Sequence, residues 1–166
     1  SDIICDNNIG VKVIPMKISF GNDQYIDGVT LTHKQFYEKL IECEDVPTTS
    51  QVTPFEFNSA FSEAVKNGDQ VVCITMSAKL SATNQSARIA SESYKKDVFV
   101  VDSEQVAIGE KILVKHAMNL KAEGLSAAQI AEKLEADKKR ICLIALLDTL
   151  EYLKKGGRIS KTAAIA

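Results

Sequence analysis

The segment from Ser77 to Thr83 carries side chains well suited to holding an anion. It reads Ser-Ala-Lys-Leu-Ser-Ala-Thr and follows an apolar run that is typical of a buried strand. Backbone N–H groups and the helix dipole at a strand-to-helix turn favour an anion, and a serine hydroxyl can donate a hydrogen bond to it. The same segment has a simpler explanation, because Ser81 or Thr83 could act only as a helix N-cap.

Two further segments carry groups that could contact an anion. Pro47–Gln51 contains three hydroxyls and an amide, and Lys154–Arg158 ends in Gly-Gly-Arg. A polar connecting loop would explain the first segment, and a basic helix C terminus with a glycine stop would explain the second. The guanidinium of Arg158 could instead present a planar fork to a carboxylate or phosphate.

Patterns for other kinds of chemistry are absent from the sequence. No G-x-G-x-x-G follows a predicted strand, and there is no Walker A loop and no G-x-S-x-G elbow. His33 and His116 fall within predicted helices without a second metal ligand or a nucleophile at a useful offset. We therefore expect structural or surface roles for both histidines and no metal or cofactor.

Composition and charge favour one ordinary globular domain. The 166 residues are 45% apolar and 25% charged, with a net charge of -2. No cluster of basic residues is denser than Lys138–Arg140, so nucleic acid is not an expected partner. No apolar stretch approaches the roughly 20 residues that span a bilayer, and no signal peptide opens the sequence, so no transmembrane segment is expected.

Cysteine usage favours a reducing cytoplasm. Cys5, Cys43, Cys73 and Cys142 show no C-x-x-C spacing. Cys73 and Cys142 lie within apolar runs that read as buried strands, so we interpret them as inert core thiols. Their dispersal argues against a disulfide scaffold.

Strand and helix patterns alternate along the chain. Thr32 with Gln35 and Thr53 with Glu56 form capping boxes, and Pro15 is expected either to interrupt the first strand or to lie where that strand is at an edge. The predicted strands are Val11–Phe20, Gln24–Ile26, Gln70–Met76, Val98–Val101 and Ile141–Leu147. The predicted helices are His33–Glu42, the segment between Thr53 and Gly68, Ala82–Lys95, Glu104–Glu123, Ser126–Lys139 and Thr149–Lys155.

This alternation predicts an α/β fold. Right-handed crossovers place helices on both faces of a mostly parallel sheet, which gives three α/β/α layers. Ligands of such sheets bind outside the carboxyl ends of the strands. The loops expected to carry function are therefore Thr75–Ser81, Asp102–Gln105 and the stretch beyond Leu147.

Taken together, these segments resemble the DegV family, which includes the bacterial fatty-acid-binding subunits called FakB. The matching segments follow the family's order. They are Val13–Phe20 with Gly21; Tyr25, Asp27 and Gly28; Pro47–Gln51; Ser77–Ser81 with Thr83 and Gln85–Ala87; Val101–Ser103; and Asp148–Ser160.

The resemblance implies a Rossmann-like domain of a lipid carrier that has no catalytic activity of its own. Such a protein buries one long-chain fatty acid, without a cofactor, and presents the carboxylate to a separate fatty acid kinase subunit, which forms the acyl phosphate. Its contact with a membrane would be no more than transient. By position, the carboxylate-binding residues correspond to Thr49, Ser81 and Arg158, with Ser50 and Ser77 as neighbours of the head group.

The sequence departs from the family pattern at its ends and beside Ser81. Family members begin with a strand leading to a Thr-Asp-Ser motif and continue past G-G-R-x-S into a second domain that covers the lipid. We therefore expect residues 1–166 to form a single amino-terminal domain without that strand and that covering domain. Ala82 stands where the family usually has glycine, and Asn84 where it often has an aromatic residue.

Two alternatives from other classes remain at this stage. One is an α/β phosphate-handling enzyme that uses Ser81 and Arg158 on a phosphorylated substrate, and the other is an interaction domain without a ligand. A co-purified lipid would favour the carrier, whereas phosphoester turnover or a thermal profile indifferent to ligands would favour the alternatives.

Overall fold

The computed structural model describes residues 11–43 and 46–159. These residues form five strands and six α-helices, with short 3-10 turns after α3 and α5. The strands are β1 (Lys17–Phe20), β2 (Asp23–Ile26), β3 (Thr48–Ser50), β4 (Val71–Thr75) and β5 (Val98–Asp102). The helices are α1 (His33–Glu42), α2 (Pro54–Lys66), α3 (Thr83–Ser91), α4 (Ile108–Ala122), α5 (Ala127–Asp137) and α6 (Glu151–Lys155).

The described residues divide into two compact units. The first unit contains the residues up to Ser50 and those from Ile144 onward, and the second unit is Gln51–Leu143. The first unit therefore holds β1 to β3, α1 and α6. The second unit holds β4, β5 and the other four helices.

An antiparallel sheet forms the centre of the first unit. β1 pairs with β2 on one side and with β3 on the other, so the strand order is β2-β1-β3. Gly21 adopts a φ of 55°, which suits glycine and permits the tight turn between β1 and β2. The first strand begins only at Lys17, as expected from the missing N–H of Pro15.

Aromatic packing stabilises this sheet. Ile18, Phe20 and Leu31 form a buried cluster, against which Tyr25 and Phe36 pack. The rings of Phe20 and Phe36 meet edge to face with centroids 5.7 Å apart, a favoured aromatic geometry. Helix α1 is held over the sheet by this contact.

The second unit is layered around the parallel pair β4 and β5. Val72 and Ile74 of β4 pack with Val101 of β5 into the core formed by α4 and α5. On the other side of β4, Thr75 accepts a hydrogen bond from Asn84 of α3, because alternate residues of a strand face opposite sides. Helices thus cover both faces of this pair, and the predicted α/β class is confirmed.

Side-chain capping explains where two helices of the second unit, α2 and α5, begin, whereas α3 and α4 begin without a side-chain cap. Thr53 and Ser126 each accept the N3 N–H of their helix, while Glu56 and Gln129 return a bond to the cap residue. Gly68 follows α2 with a φ of 83°, as its predicted place at the helix end requires.

Two predictions of local structure were wrong. Residues 141–147 form no strand, and Ile144 and Leu146 are 88% and 98% exposed. A continuous apolar run becomes a strand only where a neighbouring strand supplies hydrogen-bond partners. No described strand pairs with residues 141–147. Cys142 is accordingly exposed rather than buried in a core.

The other differences concern pairing and one helix start. Antiparallel pairing is more extensive than the alternation predicted, because a two-residue turn can join only antiparallel strands. Helix α4 begins at Ile108 rather than at Glu104, since Glu104 and Ala107 adopt positive φ values of 55° and 49°. No helix within the described ranges is long and apolar enough to cross a membrane.

The buried carboxyl of Glu110 in α4 should make the free energy of unfolding depend on pH. Burial raises the pKa of its carboxyl from 4.5 to about 7. The folded state therefore holds a proton that the unfolded state releases, so the contribution of Glu110 to stability is fully present below pH 4.5 and is lost as pH rises through about 7. Denaturant unfolding at several pH values should show this loss in the wild type and not in Glu110→Gln. Glu132→Gln, which changes an exposed carboxylate, should retain it; an unchanged slope in Glu110→Gln would contradict this expectation.

Candidate functional site

Ser81 lies in the β4–α3 loop, residues 76–82, just before α3 begins. Its half-buried hydroxyl accepts the N–H of Thr83 at 3.2 Å and lies 2.9 Å from the Thr83 hydroxyl. Ser81 thus contacts the first residue of α3, but the N-cap position is Ala82, which makes no side-chain cap bond, so the prediction that Ser81 or Thr83 is the N-cap was wrong. When the Thr83 hydroxyl is the donor of the second contact, the Ser81 hydroxyl keeps its own proton to donate, so these contacts and anion binding are compatible.

Ser77, in contrast, shapes the same loop from within. It is buried, and its hydroxyl accepts the N–H of Lys79 at 3.3 Å. Its carbonyl oxygen accepts the N–H of Leu80 and that of Ser81, at 3.0 and 3.2 Å. Ser77 therefore fixes the backbone that carries Ser81, and its place beside a head group stays a prediction.

A groove of about 440 Å³ lies beside Ser81, between the β4–α3 loop and the first turns of α3. Lys79 and Arg88 line it with exposed cationic side chains, and within the described ranges neither forms a salt bridge with a carboxylate. Arg88 donates through Nε to the buried amide of Asn84, which donates in turn to Thr75, each at 2.8 Å. The groove therefore presents a hydroxyl and positive charge, a combination that favours an anion.

The same contacts give a role to Asn84, which stands where the resemblance leads us to expect an aromatic residue. Asn84 is buried and joins α3 to β4 through its side-chain amide. The side-chain amide donates one of these bonds and accepts the other, which an aromatic ring could not do.

Thr49 and Ser50 lie in β3 rather than in the predicted loop. Thr49 is opposite Ile18 of β1. The side chains of Thr49 and Ser50 are both exposed. Neighbouring residues of a strand point to opposite faces, so the two hydroxyls would approach a ligand from different sides of β3. Their assignment to the head group stays a prediction.

Arg158 is positioned by the end of helix α6. Its N–H bonds to the carbonyl of Leu153, and the N–H of Gly157 bonds to that of Lys154. Together with the φ of 70° at Gly157, these bonds form a Schellman motif, which explains why glycine precedes the arginine. One guanidinium nitrogen donates to the carbonyl of Gly156 at 2.6 Å. The side chain is exposed, and the guanidinium has further N–H groups that could donate to an anion.

The structure brings together some of the predicted site residues. Ser77 and Ser81 share one loop of the second unit, whereas Thr49, Ser50 and Arg158 belong to the first unit. Among the described residues, no group of three or more histidine, cysteine, aspartate and glutamate side chains could hold a metal ion.

Sequence reasoning missed the part played by Asp102. It placed Asp102 in a loop between a strand and a helix and gave its side chain no contact. The Asp102 carboxylate accepts the N–H of Ala78 at 3.1 Å and that of Glu104 at 3.0 Å. Asp102 therefore ties the β4–α3 loop to the neighbouring strand end. An aspartate directly after a buried strand was the available signal.

Comparison with known proteins places the chain in a family. A family model described as an uncharacterised protein of the DegV family matches residues 5–166. A DegV domain-containing protein from Caldanaerobacter subterraneus is 36% identical over 157 residues, which cover 94% of this chain and 56% of the relative. The chain thus spans little more than half the length of such curated relatives.

Solved structures agree with this relationship. A fatty-acid-binding DegV family protein from Thermus thermophilus has a TM-score of 0.83 at 32% identity, covering 97% of this chain and 57% of that one. A stearic acid-binding protein from Eubacterium ventriosum has a TM-score of 0.79 at 28% identity, covering 97% and 58%. By family model, sequence and fold, the chain belongs to the DegV family.

Proposed function

We propose that this protein binds a long-chain fatty acid by its carboxylate and presents it to a separate fatty acid kinase subunit. The observation that carries the proposal is the Ser81 hydroxyl at the carboxyl end of β4, beside a groove with two exposed cations. The similarity to fatty-acid-binding DegV proteins supports the choice of ligand. Motif positions assign Thr49 and Arg158 to the same carboxylate.

The chemistry of these three side chains suits that role. Two hydroxyls and a guanidinium can each donate a hydrogen bond to a carboxylate oxygen. A hydrogen bond to a charged group contributes about 1.5 to 3 kcal/mol, which is more than a neutral one. The acyl chain would contribute about 0.8 kcal/mol for each buried CH2, so affinity would come from the chain and orientation from the head group.

Presentation to a kinase is proposed because this chain would leave phosphoryl transfer from ATP to a partner. The sequence has no phosphate loop, and the proposed site residues are donors that hold a carboxylate. Transfer of a phosphoryl group from ATP to that carboxylate would therefore use a partner's residues. This chain would act as the carrier of the acyl substrate.

Carboxylate recognition can be tested with ligands that differ only at the head group. The full-length protein would be titrated with stearate and with methyl stearate, which keeps the acyl chain and lacks the charge. We expect stearate to bind about 10- to 150-fold more tightly, since a charge-assisted bond contributes about 1.5 to 3 kcal/mol. Equal affinities would show that the polar end does not recognise a carboxylate.

The kinase step needs its own experiment. Stearate-loaded protein would be incubated with ATP, with and without the kinase subunit of the same bacterium, and acyl phosphate trapped as a hydroxamate with hydroxylamine. The proposal expects the hydroxamate only when both proteins are present. Formation without the kinase would favour a phosphate-handling enzyme, and no formation with it would refute presentation.

A further inference from the structure

Lys138 is a buried cation at the end of α5, remote in sequence from the groove. Its side chain is only 7% exposed. Its ammonium group lies 2.9 Å from the carbonyl oxygen of Asp102, 3.0 Å from Glu104 and 2.6 Å from Glu135. Two of these three contacts hold the β5–α4 loop, residues 103–107, and its preceding strand end.

Charge is retained on Lys138 despite its burial. Burial lowers its pKa, but hydrogen bonds and charge from Glu135 and Glu104 outweigh that effect, so the pKa is raised overall. The same contact with Lys138 lowers the pKa of Glu104. The loop is therefore held by a permanent ion pair at neutral pH.

The β5–α4 loop has a backbone conformation that needs such support. Glu104 and Ala107 adopt φ values of 55° and 49°, a region that side-chain-bearing residues seldom occupy. Strained conformations persist where surrounding contacts enforce them, and they cluster near functional sites. Lys138 supplies one of these contacts directly, through the Glu104 carboxylate.

Hydrogen bonds then connect this loop to the β4–α3 loop. The Asp102 carboxylate accepts the N–H of Ala78 at 3.1 Å, and the carbonyl of Gln105 accepts the N–H of Ser77 at 2.8 Å. The carbonyl of Ser77 accepts the N–H of Ser81. A displacement of the β5–α4 loop would therefore move the backbone that orients the Ser81 hydroxyl.

We propose that Lys138 is a positioning residue for the anionic head group, acting through the β5–α4 loop on the Ser81 hydroxyl. The inference rests on the proposed function, because it assigns that hydroxyl to the fatty-acid carboxylate. Lys138 does not itself line the groove beside Ser81. Lys138 affects the direction in which the Ser81 hydroxyl points, so the loss of Lys138 should weaken ligand binding more than the loss of a comparable surface charge.

The test compares Lys138→Met with Glu135→Ala in the full-length protein. Lys138→Met releases the loop, whereas Glu135→Ala cuts an ion pair of the same ammonium group with α5 and leaves both loop contacts. Glu104 and Glu135 are each 45% exposed, so Glu104→Ala is a matched second variant, which removes the carboxylate on the loop side.

Two readouts separate positioning from general stability. Stearate affinity should fall about tenfold in Lys138→Met, the effect of losing one hydrogen bond to the ligand. Exchange of the Ala78 amide hydrogen should also accelerate relative to amides of the β4–β5 ladder. Glu135→Ala should leave both quantities within about twofold of the wild type, since Glu135 lies on α5 and its loss leaves both contacts of Lys138 with the loop. Glu104→Ala should change both in the same direction as Lys138→Met, by a smaller factor.

Equal effects of Lys138→Met and Glu135→Ala, or an unchanged Ala78 exchange rate in Lys138→Met, would overturn the inference. If Lys138→Met fails to fold, the comparison of Glu104→Ala with Glu135→Ala decides it by the same criteria. A wild-type protein that takes up no stearate would contradict the proposed function separately, because the exchange of Ala78 can be measured without ligand.

Discussion

Replacement of Arg158 by methionine is expected to weaken stearate binding by about 10- to 150-fold. The estimate corresponds to the loss of a charge-assisted hydrogen bond of about 1.5 to 3 kcal/mol. Methionine keeps an unbranched apolar stem, and Arg158 is exposed after the Schellman motif of α6, so the substitution should leave folding intact. Titration of the full-length variant with stearate measures the effect.

Lys154→Met is the control for this prediction. It removes an exposed positive charge from α6, the short helix that Arg158 follows, and a carboxylate attracted only by the overall field would respond equally to both substitutions. The proposed direct contact requires a much larger effect at Arg158. Equal losses would assign Arg158 a general electrostatic role, and wild-type affinity in Arg158→Met would remove it from the site.

Phe61→Ala should lower the free energy of unfolding by about 3 to 5 kcal/mol, the usual cost of truncating a buried phenylalanine. Phe61 is 2% exposed in the second unit. Its ring lies 5.7 Å from that of Phe57 and 6.3 Å from that of Tyr94, so alanine would leave a cavity between α2 and its neighbours. Denaturant unfolding followed by circular dichroism measures the change.

Helix α2 also supplies a control for Phe61. Phe55 lies six residues earlier in the same helix and is 80% exposed, so Phe55→Ala removes the same ring with little loss of buried area. Its effect should stay below about 1 kcal/mol, as for most surface substitutions. A comparable loss in both variants would show that Phe61 is not part of a packed core.

Sequence patterns predicted those elements whose boundaries depend on local chemistry. The capping boxes predicted at Thr32 and Thr53 both form, and α1 has the bounds expected from its spacing. Likewise, Pro15 precedes the start of β1 and Gly21 forms the turn that follows it. Each of these signals acts between residues a few positions apart, so the sequence contains the whole interaction.

Features that depend on distant partners were not predictable in this way. The apolar residues from Ile141 to Leu147 have the composition of a strand, yet strand formation depends on a neighbour that sequence periodicity cannot identify. Thr48–Ser50 forms a strand because β1 supplies its partners. Both outcomes are decided by pairing rather than by propensity.

The residues of the candidate site could be predicted from the sequence, whereas the contacts that hold its loops could not. The Ser77–Ser81 segment could be recognised from its hydroxyls at a strand end. The contact of Lys138 with Asp102 and Glu104 joins residues more than 30 positions apart, and Lys138 stands in a basic triplet that resembles an ordinary helix end. Burial of that ammonium group is a tertiary property, which only the structure reveals.

The central claim is that this protein carries a fatty acid, and the most direct test is the ligand content of the purified protein. The full-length protein would be produced in bacteria, purified, extracted with organic solvent and analysed by mass spectrometry. The account predicts a fatty acid in an amount equimolar with the protein, displaced by added stearate. An extract without fatty acid, together with no thermal stabilisation by stearate, would contradict the account.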